Sequence, residues 1–323
     1  MSLARAWALI ALWALLCGPW LASHAASLRY CDQPTPLSAD QKDQLFRFGD
    51  IIKTELERSG QSLALIARSG LDLGRFGVRY SHAGLSLKAS LNTPWSVRQL
   101  YFACDEGKPR IFDQGMAGFL LGLNDPSVGY VSIVFVPQAE AAALEHMVLD
   151  NRQALHLLGA SYSANAYPFS VSYQNCNQWV VEMLAAAWGR LRNDADDRID
   201  GRSDAAIGDA SNGARNLRAQ AQRWLKDQGY RPSIFDVGWR PLMWLAGFIP
   251  WLHSDDHPDA DLDEKVFRVS MPASIEAFVH ATVPGATRLE FCHRERRVVI
   301  RRGWEPIAEG CQPEASDTVV TLP

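Results

Sequence analysis

An α+β domain is what the sequence predicts, and three observations predict it: a helical stripe that starts at Cys176, two alternating strands at residues 77–88 and 95–104, and helical periodicity over 38–68 and 138–158. In chain order, Arg5 precedes an uncharged stretch from Ala6 to Ala22 that Gly18 and Pro19 interrupt. Ser23-His24-Ala25 then places small residues where a signal peptidase reads them. Residues 1–25 are therefore expected to be a cleaved export signal, leaving residues 26–323 in the periplasm or outside the cell as one domain with helical insertions and a C-terminal strand hairpin. The 32 basic and 36 acidic side chains, net −4, give no electrostatic case for binding nucleic acid.

Residues 38–68 read as helical, with Leu45, Phe46, Ile51, Ile52, Leu56, Leu63 and Leu65 as apolar positions and an interruption near Gly60. After the strands at 77–88 and 95–104 comes a shorter one at 109–113, ending at Gly115. Val128 to Pro137 reads as a further strand or an extended edge, 138–158 as a helix, and 190–213 as a charged surface loop. In that loop Asp194, Asp196, Asp197 and Asp200 precede Gly201, but Arg198 occupies a ligand position and Ile207 stands where a calcium loop has its bidentate Glu. No phosphate loop, dinucleotide fingerprint, internal repeat or metal-ligand cluster is present, so no cofactor and no metal is expected. Trp239 to Leu252 is the most apolar stretch after the signal, and its fourteen residues are too few to span a bilayer. It reads as a core helix or a lid, or as an interfacial segment whose tryptophans give peripheral membrane contact. Arg294, Arg296, Arg297, Arg301 and Arg302 read as a solvated edge strand protected by charge.

At Asn175-Cys176-Asn177-Gln178 a cysteine stands where a helix begins. Pro168 lies upstream, Asn175 is the N-cap and Gly189 the stop, and Trp179, Val180, Met183, Leu184 and Ala187 share one stripe with Cys176. First-turn N–H groups carry the positive end of the helix dipole, which favours thiolate and can hold a developing oxyanion. The same position also suits a small buried hydrophobe. Without Cys17 of the signal, Cys31, Cys104, Cys176, Cys292 and Cys311 remain, an odd set for an oxidising compartment. Cys292 and Cys311 flank a strand-turn-strand reading, Cys31 and Cys104 are left to tie the N-terminal segment to the early sheet, and Cys176 is the thiol left free.

A thiolate nucleophile needs a base and a group that orients the base. The informative histidine is His82: Val78 to Leu87 alternates as a strand, with Val78, Tyr80, His82, Gly84 and Ser86 on one face, and Gly84 opens that face to close approach.

Ser81-His82-Ala83-Gly84-Leu85 on a strand, followed by Asn175-Cys176 on a helix, resembles the circularly permuted branch of the NlpC-type papain-like superfamily, to which lecithin:retinol-acyltransferase-like proteins belong. The chain from its signal to Cys311 also resembles a bacterial family labelled as domain of unknown function 2145, a label that implies no activity. The superfamily resemblance implies an antiparallel sheet packed on a nucleophile helix, with Cys176 as nucleophile, His82 as general base and later acid, and a polar residue of the next strand orienting His82. On the strand Trp95 to Phe102, Gln99 and Tyr101 share the relevant face. Gln99 is favoured because an amide oxygen accepts the imidazole N–H without burying a charge. Asn175, Gln174 and Tyr173 are the candidates for the second oxyanion donor. The pair is expected to meet at about 3–4 Å, with the Cys176 pKa depressed below about 7.

The function expected on this basis is that of an exported cysteine hydrolase cleaving an amide bond through a thioester, with cell-wall (peptidoglycan) peptides as the substrate class. Acyl transfer or lipid ester hydrolysis is a second reading, supported by the 239–252 stretch. A non-catalytic binding module is a third, supported by the lack of a carboxylate partner for His82.

Overall fold

The computed structural model describes residues 37–123, 125, 127–192, 209–238, 243 and 249–322. The signal segment, Cys31, the acidic run Asp194–Asp200, Ile207 and most of Trp239–Leu252 lie outside the described residues. No described helix is long and apolar enough to cross a membrane.

Helix α1 (Ala39–Arg58) starts at a capping box: Ser38 Oγ accepts from Gln41 N–H at 3.1 Å, and Gln41 Oε1 accepts from Ser38 N–H at 2.9 Å. Leu45, Phe48, Ile52 and Leu56 make its buried stripe. The helix expected to run to residue 68 ends at Arg58, and residues 63–68 are strand β1 (Leu63–Arg68). Gly60, at φ +70°, turns the chain out of the helix, and Leu63-Ala64-Leu65-Ile66-Ala67 is apolar on both faces because β1 is buried on both. A short continuous apolar run fits a buried helix and a buried strand equally well, and here the sheet takes it.

The remaining strands are β2 (His82–Leu87), β3 (Ser96–Ala103), β4 (Lys108–Gln114), β5 (Val128–Phe135), a small pair β6 (Ser233–Asp236) and β7 (Val266–Val269), then β8 (Thr287–Arg294), β9 (Arg297–Arg302) and β10 (Thr318–Thr321). Eight of them form one antiparallel sheet in the order β10-β9-β8-β5-β1-β2-β3-β4. The fold is therefore α+β, as expected. β5 is an interior strand between β1 and β8 and not an edge. The arginine run departs from expectation too. β10 covers β9, so Arg301 is buried and held by Asp317 at 2.7 Å and Glu314 at 3.0 Å, while Arg302 reaches Glu55 at 2.6 Å; Arg294, Arg296 and Arg297 are exposed.

α1 and α2 (Met116–Leu120) cover one face of the sheet, where Phe48, Ile52, Phe119 and Leu120 meet Ala64, Ile66, Val97, Val131 and Ile133. The other face meets α5 (Cys176–Trp188), with Val180 against Leu65, Ala67, Ala83 and Val134. The helix expected over 138–158 is two, α3 (Gln138–Leu149) and α4 (Asn151–His156). Asp150 ends the first and caps the second, accepting from Arg152 N–H at 2.8 Å and Gln153 N–H at 3.3 Å. The segment expected as a loop to residue 213 turns helical at Asp209: α6 (Asp209–Asp227) packs Leu217, Ala221 and Leu225 inward beside α5. α7 (Asp259–Glu264) and α8 (Pro272–Thr282) complete the α-helices among the described residues.

Candidate active site

The start of α5 is built as its sequence requires. Asn175 has extended backbone, and its Oδ1 accepts from Gln178 N–H at 2.7 Å, satisfying one of the orphan donors of the first turn. Two turns in, Glu182, fully buried, gathers Gln174 Nε2 at 2.6 Å, Gln178 Nε2 at 3.1 Å, Gln222 Nε2 at 2.7 Å and Arg218 Nε at 2.8 Å. Arg218 also donates to the carbonyls of Val171 and Tyr173. The segment leading into Cys176 is thereby tied to α5 and α6 through one carboxylate.

Cys176 is the free cysteine among the described residues and is 8% exposed. Its sulfur is met by the N–H groups of Asn177 and of Cys176 itself and by the Tyr162 hydroxyl. His82, 9% exposed, is the first residue of β2. Its Nε2 lies 2.7 Å from Gln99 Oε1, and the Gln99 amide is oriented because its Nε2 donates to Gln114 Oε1 at 2.6 Å. Gln99 therefore accepts from Nε2–H, which leaves Nδ1 as the basic nitrogen of the ring. Gly84 is where β3 approaches: an added Cβ would lie 2.4 Å from Val97 Cγ1 and 3.3 Å from Gln99 Cβ.

β2 and β3 pair only from Leu85 and Arg98 onward, so the two strands part around His82. Asn177 enters that parting. Its Oδ1 accepts from Ala83 N–H at 2.9 Å and its Nδ2 donates to Ser81 O at 3.1 Å, so the residue after the cysteine grips the backbone on both sides of the histidine. This clamp ties the start of α5 to the backbone on both sides of His82. The expected direct contact is absent: the ring's hydrogen bond goes to Gln99, and its ring neighbours are Tyr101 at 5.0 Å and Phe119 at 6.2 Å, on the face that carries α2.

The electrostatics also depart from expectation. Burial pushes the Cys176 thiol up to about 12, against the opposing pull of the Asn177 N–H, Arg68, its own N–H and Tyr162. Burial likewise pulls His82 down to about 3, with the Arg68 charge acting in the same direction and the Gln99 hydrogen bond opposing it. The resting pair is thus a neutral thiol and a neutral imidazole. Desolvation outweighs the helix start because neither group keeps enough water to hold its charge.

The model of the family described as "Uncharacterized protein conserved in bacteria (DUF2145)" matches residues 55–279. The chain belongs to this family. No curated protein and no solved structure matches it. The DUF2145 span contains His82, Gln99 and Cys176, whereas the disulfide between Cys292 and Cys311 lies beyond it.

Of the other expected site residues, three are engaged elsewhere. Asn175 caps the helix and donates to Ala164 O at 3.3 Å. Gln174 donates to Glu182 and Leu157 O and accepts from Gly159 N–H. Tyr173 stacks on His253 at 4.2 Å and donates to Asp255 at 3.1 Å. The oxyanion donors left at the sulfur are the first-turn N–H groups. Tyr101 accepts from Arg68 Nη2 at 3.0 Å. Sequence reasoning missed Arg68, Tyr162 and Asn177. Asn177 was readable as a second Asn flanking the cysteine and Arg68 as a charge closing an apolar run, whereas nothing local marks Tyr162. Cys104 is disulfide-bonded, and Cys31, its expected partner, lies outside the described residues.

Proposed function

We propose that this protein is an exported cysteine hydrolase that cleaves an amide bond through a thioester, with cell-wall peptides as its substrate class. The observation that carries the reading is the free Cys176 at a capped helix start, held beside the His82 strand by Asn177. The order of histidine strand before cysteine helix on an antiparallel sheet supports the permuted NlpC-type papain-like resemblance. Export is supported by the apolar first 25 residues and by the Cys292–Cys311 disulfide, which suits an oxidising compartment.

This mechanism requires Nδ1 of His82 to reach the sulfur when substrate binds. His82 takes the thiol proton as sulfur bonds to the carbonyl carbon, and the oxyanion lies on the N–H groups of Cys176 and Asn177. The imidazolium then passes the proton to the leaving nitrogen as the C–N bond breaks. Water, deprotonated by His82, then hydrolyses the thioester and restores the thiol. Gln99 keeps the ring in the tautomer these steps use.

A second reading is favoured by the His82–Gln99 bond and the raised thiol pKa: a binding module that keeps the fold without turnover. The deciding experiment offers peptidoglycan peptides and phospholipid esters to the wild type, Cys176→Ala and His82→Ala, with mass detection of an acyl adduct on Cys176. Amide cleavage lost in both variants supports the hydrolase. Cleavage or transfer confined to lipid esters moves the assignment to the acyltransferase branch, and binding without turnover moves it to the module.

A further inference from the structure

Arg68 closes β1 and is 4% exposed. Its guanidinium is seated by neutral acceptors alone: Tyr101 OH at 3.0 Å, Ser69 O at 3.4 Å and Gly122 O, while its Nε has no partner. No carboxylate among the described residues pairs with it. Two glycines make the seat, since a Cβ at Gly70 would lie 2.7 Å from Nη1 and one at Gly122 closer still to the guanidinium. A buried cation without a counter-ion is costly and is ordinarily neutralised by pairing. Its place in the sheet shows what it acts on. Arg68 is directly opposite His82 in the β1–β2 register. The two side chains share Tyr101, which accepts from Arg68 and packs on the imidazole at 5.0 Å, and Phe119, which lies 5.3 Å under the guanidinium and 6.2 Å from the ring.

We propose that Arg68 is the electrostatic positioning residue of this site: a buried cation, seated by Tyr101 and Gly122 directly opposite His82, whose charge acts with burial against the imidazolium and reaches the Cys176 thiol. The proposal rests on the reading of Cys176 as the reactive thiol. The groups facing this charge are His82 of β2 and Tyr101 of β3; its field also reaches Cys176 of α5, against whose sulfur the Tyr162 hydroxyl lies. Thiol and imidazole respond to Arg68 in the same direction, both toward lower pKa.

The test measures iodoacetamide alkylation of Cys176 from pH 6 to 11, and His82 titration by NMR, in the folded wild type, Arg68→Met, Arg68→Lys and Tyr101→Phe. Arg68→Met is expected to raise both the thiol and the imidazole pKa by about one unit or more, slowing alkylation about tenfold at a fixed pH below the thiol pKa. Arg68→Lys should restore most of the shift and Tyr101→Phe should give an intermediate one, a graded response that mere loss of packing would not produce. Should Arg68→Met not fold, Arg68→Lys and Tyr101→Phe carry the test. Unchanged titrations in the folded variants overturn the proposal. Turnover that requires Cys176 together with unmoved titrations sinks the Arg68 role alone; moved titrations without turnover of any substrate sink the hydrolase alone.

Discussion

Replacing Asn177 by Ala tests the clamp on which the site is built. The change removes an acceptor 2.9 Å from Ala83 N–H and a donor 3.1 Å from Ser81 O. Asn177 is 2% exposed, Ala83 5% and Ser81 9%, so water replaces neither bond easily. Stranding a buried N–H and a buried C=O costs about 1–3 kcal/mol each, which gives an expected loss of about 3–5 kcal/mol with the small void included. Urea denaturation at neutral pH should show this as a lower midpoint at unchanged slope. Hydrogen exchange localises the effect. Ala83 N–H, on the edge of β2 where β3 has parted, should lose its protection, while amides on the β1 side of β2 keep theirs. Asn177→Asp keeps the acceptor for Ala83 but sets a carboxylate oxygen against Ser81 O, so it should recover less than half of the loss. A destabilisation below about 1 kcal/mol, or unchanged protection at Ala83, would show that the clamp does not hold the strand and would refute the reasoning.

Three further outcomes are expected. His293 is buried against Phe48 with both ring nitrogens unpartnered, and burial pulls its pKa to about 4. The unfolded chain takes up this proton below pH 6.5 while the folded chain resists it until about 4, so stability falls across that window by about 3 kcal/mol, and His293→Leu should flatten the curve; superimposable pH–stability curves would refute this. Glu182→Gln should cost about 3–5 kcal/mol by leaving Arg218 buried without its counter-ion, and adding Arg218→Met should return much of that in a double-mutant cycle; additive losses would argue against the pair. Cys292→Ser with Cys311→Ser opens a loop of separation 19 and should lower unfolding free energy by about 3 kcal/mol, measured by denaturant titration; an unchanged midpoint would show that the hairpin is already constrained by its ladder.

What the sequence determined by itself is the local chemistry. The capping box at Ser38, the Asn175 cap and the start of α5 at Cys176 depend on residues a few positions apart, and they form as their spacing requires. The pairing of Cys292 with Cys311 and the free state of Cys176 followed from a count and a short separation. The alternation around His82 placed it on a strand face with Gly84, and the adjacent strand supplied Gln99. Tertiary structure decided the rest. Leu63–Ala67 became a strand because β2 and β5 flank it, and β5 became interior because β8, more than 150 residues later, pairs with it. Arg68 and Tyr162 reach the site from segments distant from Cys176, and the grip of Asn177 on β2 spans more than ninety residues, so no local pattern announces their meeting. The protonation states were decided last. A helix start is a local feature that favours thiolate, but desolvation sums over every neighbour that excludes water, and only the packed structure fixes that sum: for Cys176 and His82 it outweighs the local dipole and leaves both groups neutral.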